Sequence, residues 1–230
     1  MKKLIKLFAL TILAISFLNG CGNKQNEPIE VGFLIHALDK ERWENDRDFL
    51  VEKVQELGGT VNVKIADNDA DKQLAQAKEM LANGVDVLVV VPVDQFAAAE
   101  IVKEAHAREI KVVSYDRLIK NCKLDFYVST DNVEIGALQA NYLTTIKPTG
   151  NYALIGGAIS DNNSQFLYLG QMNVLQPLVE KGDIKIVYNE FTEFWEENEG
   201  YEHTIKLLST GESIDAIIAG NDAIALGAIR

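Results

Sequence analysis

The feature that most constrains the fold is a regular alternation along the chain from Ile29 onward. Short runs rich in β-branched residues are each followed by a longer stretch with helical periodicity. The run at 85–91 is apolar on both faces of a strand except for Asp86, which is typical of a strand that helices cover on both sides. Strict strand–helix alternation indicates parallel sheets. We therefore predict an α/β protein with doubly wound, Rossmann-like architecture.

The individual elements follow from these patterns. Strands are predicted at 30–35, 60–65, 85–91, 111–114, 125–128, 152–155, 185–188 and 214–219. Helices are predicted near 41–57, 71–83, 95–109, 132–146, 163–181, 197–209 and 222–230. Glycines at 58, 59 and 84 indicate helix ends, and Asp131 is placed to cap the helix that begins at 132.

The first twenty residues differ in composition from the rest. Three lysines precede an apolar run at 7–18 that is short for a membrane-spanning helix, and this arrangement predicts a secretory signal peptide over 1–20. The sequence Leu-Asn-Gly-Cys at 18–21 resembles the lipobox of bacterial lipoproteins, which implies cleavage before Cys21 and lipidation of its thiol. Residues 21–28 are then a lipidated polar tether, and several acyl chains would anchor it stably to a membrane. The alternative is a plain signal peptide with a chance cysteine.

Charge and cysteine content exclude some classes of protein. The net charge of the 230-residue chain is −12, which argues against a nucleic-acid partner because phosphates require a basic surface. Apolar residues make up 47% of the chain, which is enough for a globular core. If Cys21 carries lipid, Cys122 has no partner for an intrachain disulfide.

Polar and aromatic residues recur directly after the predicted strands, where ligands bind in open α/β sheets. These segments are 36–43, 92–94, 115–117, 156–163, 191–195 and 220–222. Carboxylates accept hydrogen bonds, arginines donate through a rigid fork, amides do both, and aromatic rings pack against the C–H faces of a sugar. Any one such segment is more often a local salt bridge or helix cap, but together they predict a site for a neutral sugar.

In these segments the sequence resembles the D-xylose-binding proteins of ABC importers. The matching stretches are 41–48, 84–89, 114–117, 125–129, 161–163, 170–172 and 219–223. The Arg-Trp pair, Tyr-Asp-Arg and Asp-Asn-Asn are together specific to the xylose branch, whereas Gly-Val-Asp and Asn-Asp-Ala occur across the type I periplasmic-binding fold. The resemblance runs from Val31 to the end and implies two Rossmann-like lobes that close on a ligand about a hinge.

The resemblance also implies roles for particular residues. They are Arg42 bonding a sugar hydroxyl, Trp43 at the pocket wall, Asp116 and Arg117 holding the sugar from the N-terminal lobe, Asn163 reaching from the C-terminal lobe, Trp195 stacking on the ring and Asn221 adding an amide contact. Because Trp195 follows a strand in a loop, we expect its replacement to cost little fold stability.

Two departures from the family pattern affect the prediction. The chain has His-Ala-Leu-Asp at 36–39, where the family has an acidic residue and a small loop, so the sugar need not be xylose. The chain also stops at Arg230, whereas the family continues further. We predict an N-terminal lobe over 29–128 and a C-terminal lobe over 129–230 that is incomplete in this chain.

Other motifs are weaker. The segment 67–71 has acidic spacing similar to a calcium loop but lacks the central glycine and the distal glutamate, which favours a solvated loop and helix cap. The three histidines show no metal spacing, and the loop position of His36 leaves contact with the ligand open. The sequence carries no dinucleotide, P-loop or catalytic motif. We predict no metal, no cofactor and no enzymatic activity.

Two functions remain open on the sequence. In the first, the protein binds a monosaccharide, D-xylose or a related aldose, in the periplasm or cell envelope and delivers it to the membrane permease of an ABC importer. In the second, the same binding event signals to a membrane histidine kinase or chemoreceptor. A transcription repressor with the same core fold is excluded by the predicted export signal and the lack of a DNA-binding headpiece.

Overall fold

A computed structural model describes residues 27–230, so the predicted signal peptide and the predicted lipidation site at Cys21 lie outside the described residues. The strands are β1 (Glu30–Ile35), β2 (Thr60–Ile65), β3 (Val87–Val90), β4 (Lys111–Tyr115), β5 (Phe126–Val128), β6 (Gly150–Ala158), β7 (Ile184–Thr192) and β8 (Ala216–Ala219). The helices are α1 (Glu41–Glu56), α2 (Ala70–Asn83), α3 (Ala99–His106), α4 (Asn132–Ile146), α5 (Asn162–Lys181), α6 (Glu197–Ser209) and α7 (Asp222–Ile229). None of these helices is long and apolar enough to cross a membrane.

The strands form two separate parallel sheets. The first sheet has the order β2-β1-β3-β4-β5 and the second has the order β7-β6-β8. Every pairing is parallel, as the strand–helix alternation predicts. Each sheet is wound outward from its first strand, β1 or β6, and the crevice at such a switch point is where ligands bind in open α/β sheets.

Helices cover both faces of the first sheet. On one face Leu34, Leu88 and Val112 pack with Met80 and Ile101 from the helices, and all five side chains are buried. The opposite face has its own buried cluster, which includes Phe33, Ile35, Trp43 and Val91. Burial on both sides explains why the central strands are apolar throughout instead of alternating with polar residues.

Two helix pairs approach each other unusually closely through glycine. A Cβ added at Gly136 of α4 would lie 2.0 Å from the carbonyl oxygen of Leu167, and one at Gly170 of α5 would lie 1.9 Å from that of Val133. Helices α6 and α7 make the same kind of close backbone contact at Gly200 and Gly227. These contacts fix the directions of α5 and α7, whose first turns border the crevice.

One predicted helix is wrong at its start. The pattern predicts a helix over 95–109, but α3 spans Ala99–His106. The side chain of Asp94 accepts hydrogen bonds from the backbone N–H groups of Phe96 and Ala97, and the N–H of Gln95 donates to the carbonyl oxygen of Ser160 beside the second sheet. These bonds hold 95–98 in turns. By contrast, Asp131 caps α4 as predicted by accepting from the N–H of Glu134.

Candidate ligand-binding site

A cavity of about 930 Å³ lies where the carboxyl ends of the two sheets face each other. The segments after β1, β3, β4, β6, β7 and β8 all contribute to its wall. All seven residues that the sequence predicts as ligand contacts line it: Arg42, Trp43, Asp116, Arg117, Asn163, Trp195 and Asn221. Its volume falls within the roughly 300–1,000 Å³ typical of small-molecule sites.

Asp116 joins the two sides of this cavity. Its carboxylate accepts a hydrogen bond from a terminal nitrogen of Arg42, on its own side, and another from Nδ2 of Asn163 at 3.1 Å, on the opposite side. The backbone of Asp116 has φ of 61°, a left-handed conformation that aspartate adopts more readily than most residues. This conformation follows the last residue of β4 and turns the chain at the sheet edge.

Arg117 forms a second link across the cavity. Its Nε lies 2.9 Å from Oδ2 of Asp161, and both side chains are buried. The Nε–H group does not have hydrogen-bond geometry toward this oxygen, so the contact is an ion pair without an aligned hydrogen bond. Burial raises the pKa of the Asp161 carboxyl, and the nearby charge of Arg117 acts in the opposite direction. Asp161 also caps α5 by accepting from the N–H of Asn163.

Trp43 is the centre of an aromatic and cationic group on the first-sheet side. The Arg42 guanidinium carbon lies 4.5 Å from the centroid of the indole, and that of Arg117 lies 5.8 Å away. The ring of His36 meets the indole edge-on at 4.5 Å between centroids. Burial, followed by the charges of Arg117, Arg42 and Lys40, lowers the pKa of His36 to about 2, so its imidazole is neutral at physiological pH.

Trp195 belongs to the fold as well as to the cavity wall, so the expectation that its replacement would cost little stability is wrong. Its indole fills the space above Gly157, where a Cβ would lie 2.0 Å from the ring, and it packs against the core of the second sheet. Its Nε1–H donates to Asp161 at 3.2 Å. Asn221 is similarly engaged, because its oxygen caps α7 and its Nδ2 donates to the carbonyl oxygen of Trp195.

The lysine and the two arginines that line this cavity are each paired with a carboxylate. Besides the pairs of Asp116 and Arg117, Lys40 lies 2.7 Å from Glu196 across the cavity. Within 27–230 no group of three or more histidine, cysteine or acidic side chains is arranged to hold a metal ion. The acidic segment 67–71 instead caps α2 through Asp69. A cavity whose cations are each paired with a carboxylate, and which carries buried hydrogen-bonding groups and two indoles, is suited to a neutral polar ligand.

Sequence reasoning did not single out several residues of the cavity wall. Asp161, Lys40 and Glu196 are the charged partners of cross-cavity pairs, and Asn132 donates to Oδ1 of Asn163 at 3.1 Å. Asp161 could have been predicted from the sequence, because it is the first residue of the Asp-Asn-Asn motif that follows β6. The pairing of Lys40 with Glu196 joins residues 156 positions apart and has no local signature.

Comparison with known proteins agrees with this architecture. The family model described as a periplasmic binding protein domain matches residues 31–230. The chain is 40% identical over 227 residues to the D-xylose-binding periplasmic protein of Escherichia coli K12, which covers 98% of this chain and 68% of that protein. The family and this relative are binding proteins and not enzymes, which confirms the prediction of a non-enzymatic protein.

Solved structures give the same result. An ABC transporter solute binding protein from Clostridium phytofermentans with bound β-D-glucose superposes with a TM-score of 0.80 at 27% identity, covering 86% of this chain and 67% of that one. The fructose-binding periplasmic domain of a hybrid two-component system superposes at 0.77 with 28% identity, covering 87% and 66%. The chain thus spans about two thirds of the length of the proteins it matches. From the matched residues and the two parallel sheets, the chain belongs to the periplasmic binding protein domain family and has the type I fold.

Proposed function

We propose that the protein binds a monosaccharide, D-xylose or a related aldose, in the cavity between the two sheets and delivers it to an ABC importer. The observation that carries this proposal is the cavity itself, where Arg42, Asp116 and Asn163 meet from both sides and two indoles line the wall. Each of these groups exchanges hydrogen bonds with a hydroxyl without requiring a charge on the ligand. The D-xylose-binding relative supports the choice of sugar.

The proposal extends to the organisation of the molecule. Residues 29–128 and 129–230 form the two lobes, and a hinge motion opens and closes the cavity between them. Asp116 holds both Arg42 and Asn163 through hydrogen bonds, so a sugar that binds these groups exchanges its hydroxyls for those contacts. Binding then selects by the fit of hydroxyls to groups that are already positioned.

Calorimetric titration of the full gene product with a panel of pentoses, hexoses and polyols tests the proposal. We expect at least one aldose to bind with a dissociation constant near micromolar, which corresponds to about −8 kcal/mol. An anionic sugar acid of the same size serves as the matched control and is expected to bind far more weakly. The absence of binding by every neutral sugar would refute the function.

We also propose that Cys21 is lipidated after export and that the protein acts at the outer face of a membrane. The motif at 18–21 and the preceding apolar run support this. Cys21→Ser is expected to leave an uncleaved precursor or release the protein from the membrane fraction. Unchanged processing and membrane retention of this variant would contradict the lipid anchor.

The alternative function is sugar sensing. It is favoured by the similarity to the periplasmic domain of a hybrid two-component system. Neighbouring genes separate the two functions, because transport requires permease and ATPase genes and sensing requires a kinase or receptor gene. Loss of sugar uptake, with sugar-dependent signalling unchanged, after deletion of this gene would favour transport.

A further inference from the structure

We propose that Asn132 is a positioning residue for the sugar site, because its side-chain amide fixes the orientation of the Asn163 amide and so directs Nδ2 of Asn163 toward the ligand. This inference rests on the proposed function, since it assumes that the cavity holds a sugar and that Asn163 binds it. Asn132 is the first residue of α4, and Asn163 is the second residue of α5. Both side chains are buried at the cavity wall.

The two ends of the Asn163 amide have different partners. Its Oδ1 accepts a hydrogen bond from Nδ2 of Asn132 at 3.1 Å. Its Nδ2 donates to the carboxylate of Asp116 at 3.1 Å and to the backbone oxygen of Asp116 at 3.2 Å. If the amide were turned over, its oxygen would face the two acceptors of Asp116, and its NH₂ group would face the NH₂ group of Asn132. The donor on Asn132 therefore favours one of the two orientations.

This role of Asn132 matters most when a sugar binds. A hydroxyl that bonds the carboxylate of Asp116 or the Nδ2 group of Asn163 exchanges with the contact between these two side chains. The hydrogen bond from Asn132 is made to the other end of the Asn163 amide, so it is not part of this exchange. It keeps Nδ2 in place while the partner of Nδ2 changes, and a group held in this way loses little conformational freedom on binding.

The close contact between α4 and α5 explains how a short side chain reaches from one helix to the other. Gly136 lies one helical turn after Asn132, on the same face of α4. Leu167 lies one helical turn after Asn163, on the same face of α5. A Cβ at Gly136 would lie 2.0 Å from the carbonyl oxygen of Leu167. The two backbones thus approach each other one turn away from the two asparagines.

Asn132 is itself held by the segment that connects the two sheets. Its Nδ2 also lies 3.4 Å from the hydroxyl of Ser129 and 3.3 Å from the carbonyl oxygen of Thr130, and the bond to Asn163 is the shortest of the three. The hydroxyl of Ser129 donates in turn to the backbone oxygen of Asp116 at 2.6 Å. The amide of Asn132 is therefore fixed within a network that also includes Asp116.

The competing interpretation is that Asn132 only stabilises the start of α4. Asn132→Asp separates the two interpretations, because it keeps the size of the side chain and replaces the NH₂ donor with an acceptor. Next to a carboxylate at position 132, the Asn163 amide would turn its NH₂ group toward that carboxylate and away from the sugar. If Asn132 acts through Asn163, the substitution therefore lowers the affinity only while the Asn163 amide is present.

The test is a double-mutant cycle with Asn163→Ala, measured by calorimetric titration of the full gene product with the neutral sugar that binds most tightly. We expect Asn132→Asp to weaken binding by about tenfold or more in the wild-type background, which corresponds to about 1.4 kcal/mol. In the Asn163→Ala background the same substitution is expected to weaken binding by less than about threefold. Denaturant unfolding establishes that each variant is folded.

The matched control is Asn198→Asp, which makes the same substitution in the first turn of another helix. Asn198 is the second residue of α6, is exposed and does not line the cavity. Its substitution is expected to leave the affinity unchanged. A loss of equal size in the control and in Asn132→Asp would overturn the proposal, because the added charge alone would then explain the effect.

The cycle gives a decision in each of its other outcomes. Equal losses from Asn132→Asp in both backgrounds, or no loss in the wild-type background, would overturn the proposal. An unchanged affinity of Asn163→Ala alone would overturn it too, since Asn163 would then make no contact to position. If Asn132→Asp does not fold, Asn132→Ala removes the donor without adding a charge. Its expected loss is about threefold or more, and only with the Asn163 amide present.

Failure of the proposed function is distinguishable from failure of this inference. A wild type that binds no neutral sugar would refute the proposed function itself. A wild type that binds a sugar and shows equal losses in both backgrounds would refute only the role of Asn132.

Discussion

At the residue scale, Asp116 is the group on which the cavity most depends. Its carboxylate accepts hydrogen bonds from Arg42 and Asn163, which lie on opposite sides of the cavity. Its backbone adopts a left-handed conformation directly after β4. Hydrogen bonds to a charged group contribute roughly 1.5–3 kcal/mol. We expect Asp116→Ala to weaken sugar binding by about ten- to a hundredfold in calorimetric titrations.

The matched control for this prediction is Asp183→Ala. Asp183 pairs with Lys181 directly before β7, at the sheet edge remote from the cavity. Its removal is expected to leave the affinity unchanged. Equal affinities for Asp116→Ala and the control would show that Asp116 is not part of the sugar site.

The pair formed by Arg117 and Asp161 makes a prediction about stability. Removing one member of a buried ion pair leaves an uncompensated charge and costs about 3–5 kcal/mol, whereas replacing both members is often neutral. We expect Arg117→Met to lower the free energy of unfolding by that amount, and the double variant with Asp161→Asn to recover most of it. Denaturant unfolding measures both values.

The partly exposed ion pair of Lys40 and Glu196 is the control for the effect of burial on the Arg117–Asp161 pair. The two side chains are 31% and 45% exposed, so Lys40→Met is expected to change the free energy of unfolding by less than about 1 kcal/mol. A similar loss in Lys40→Met and Arg117→Met would show that burial does not govern the Arg117 pair.

His36 makes a prediction about pH. Its pKa falls from an ordinary 6.5 to about 2 on folding, so between these values the unfolded chain binds the extra proton and acidification destabilises the folded state. Between pH 6.5 and 5 the wild type is expected to lose about 1.5–2 kcal/mol relative to His36→Phe. Arg117, Arg42 and Lys40 are the cationic groups whose charges act on His36. Parallel pH profiles for the two proteins in denaturant unfolding would contradict a buried neutral imidazole.

At the scale of single elements, the contact between α4 and α5 gives a prediction in which two effects have opposite signs. Alanine favours a helix over glycine by roughly 0.5–1 kcal/mol. A Cβ at position 170 would instead lie 1.9 Å from the backbone oxygen of Val133, which cannot move alone. We expect Gly170→Ala to destabilise the protein by about 1–3 kcal/mol in thermal or denaturant unfolding.

The control for this prediction lies on the same helix. Gln176 is exposed, and its replacement by alanine is expected to change stability by less than about 0.5 kcal/mol. A stabilising effect of Gly170→Ala would mean that the two helices are not in close contact.

The elements also show what local sequence patterns can and cannot predict. Apolar runs predict β1, β3 and β6 because burial in a covered parallel sheet leaves a local signal. The late start of α3 depends on the bond from Gln95 to Ser160, which lies near the second sheet and has no local pattern. The same reason explains Trp195, whose place against Gly157 depends on the approach of two separate segments.

At the scale of the whole molecule, the two sheets face each other across a set of specific contacts. They include the pairs of Arg117 with Asp161 and Lys40 with Glu196, and the hydrogen bond from Lys120 to Gln165 at 3.2 Å. The family resemblance, together with the rule that ligands bind at the carboxyl ends of strands, predicts seven residues that the structure places on one cavity. Their pairing could not be predicted, because it depends on how the two halves meet.

The central claim is that this cavity holds a neutral sugar between the two sheets. The most direct measurement is an experimental structure of the full protein with the sugar that binds most tightly in calorimetry. We expect the sugar inside the cavity, with hydroxyls bonded to Arg42, Asp116, Arg117 and Asn163 and a ring face against an indole. A sugar bound elsewhere, or one that leaves Asp116, Arg117 and Asn163 without ligand contacts, would contradict the account.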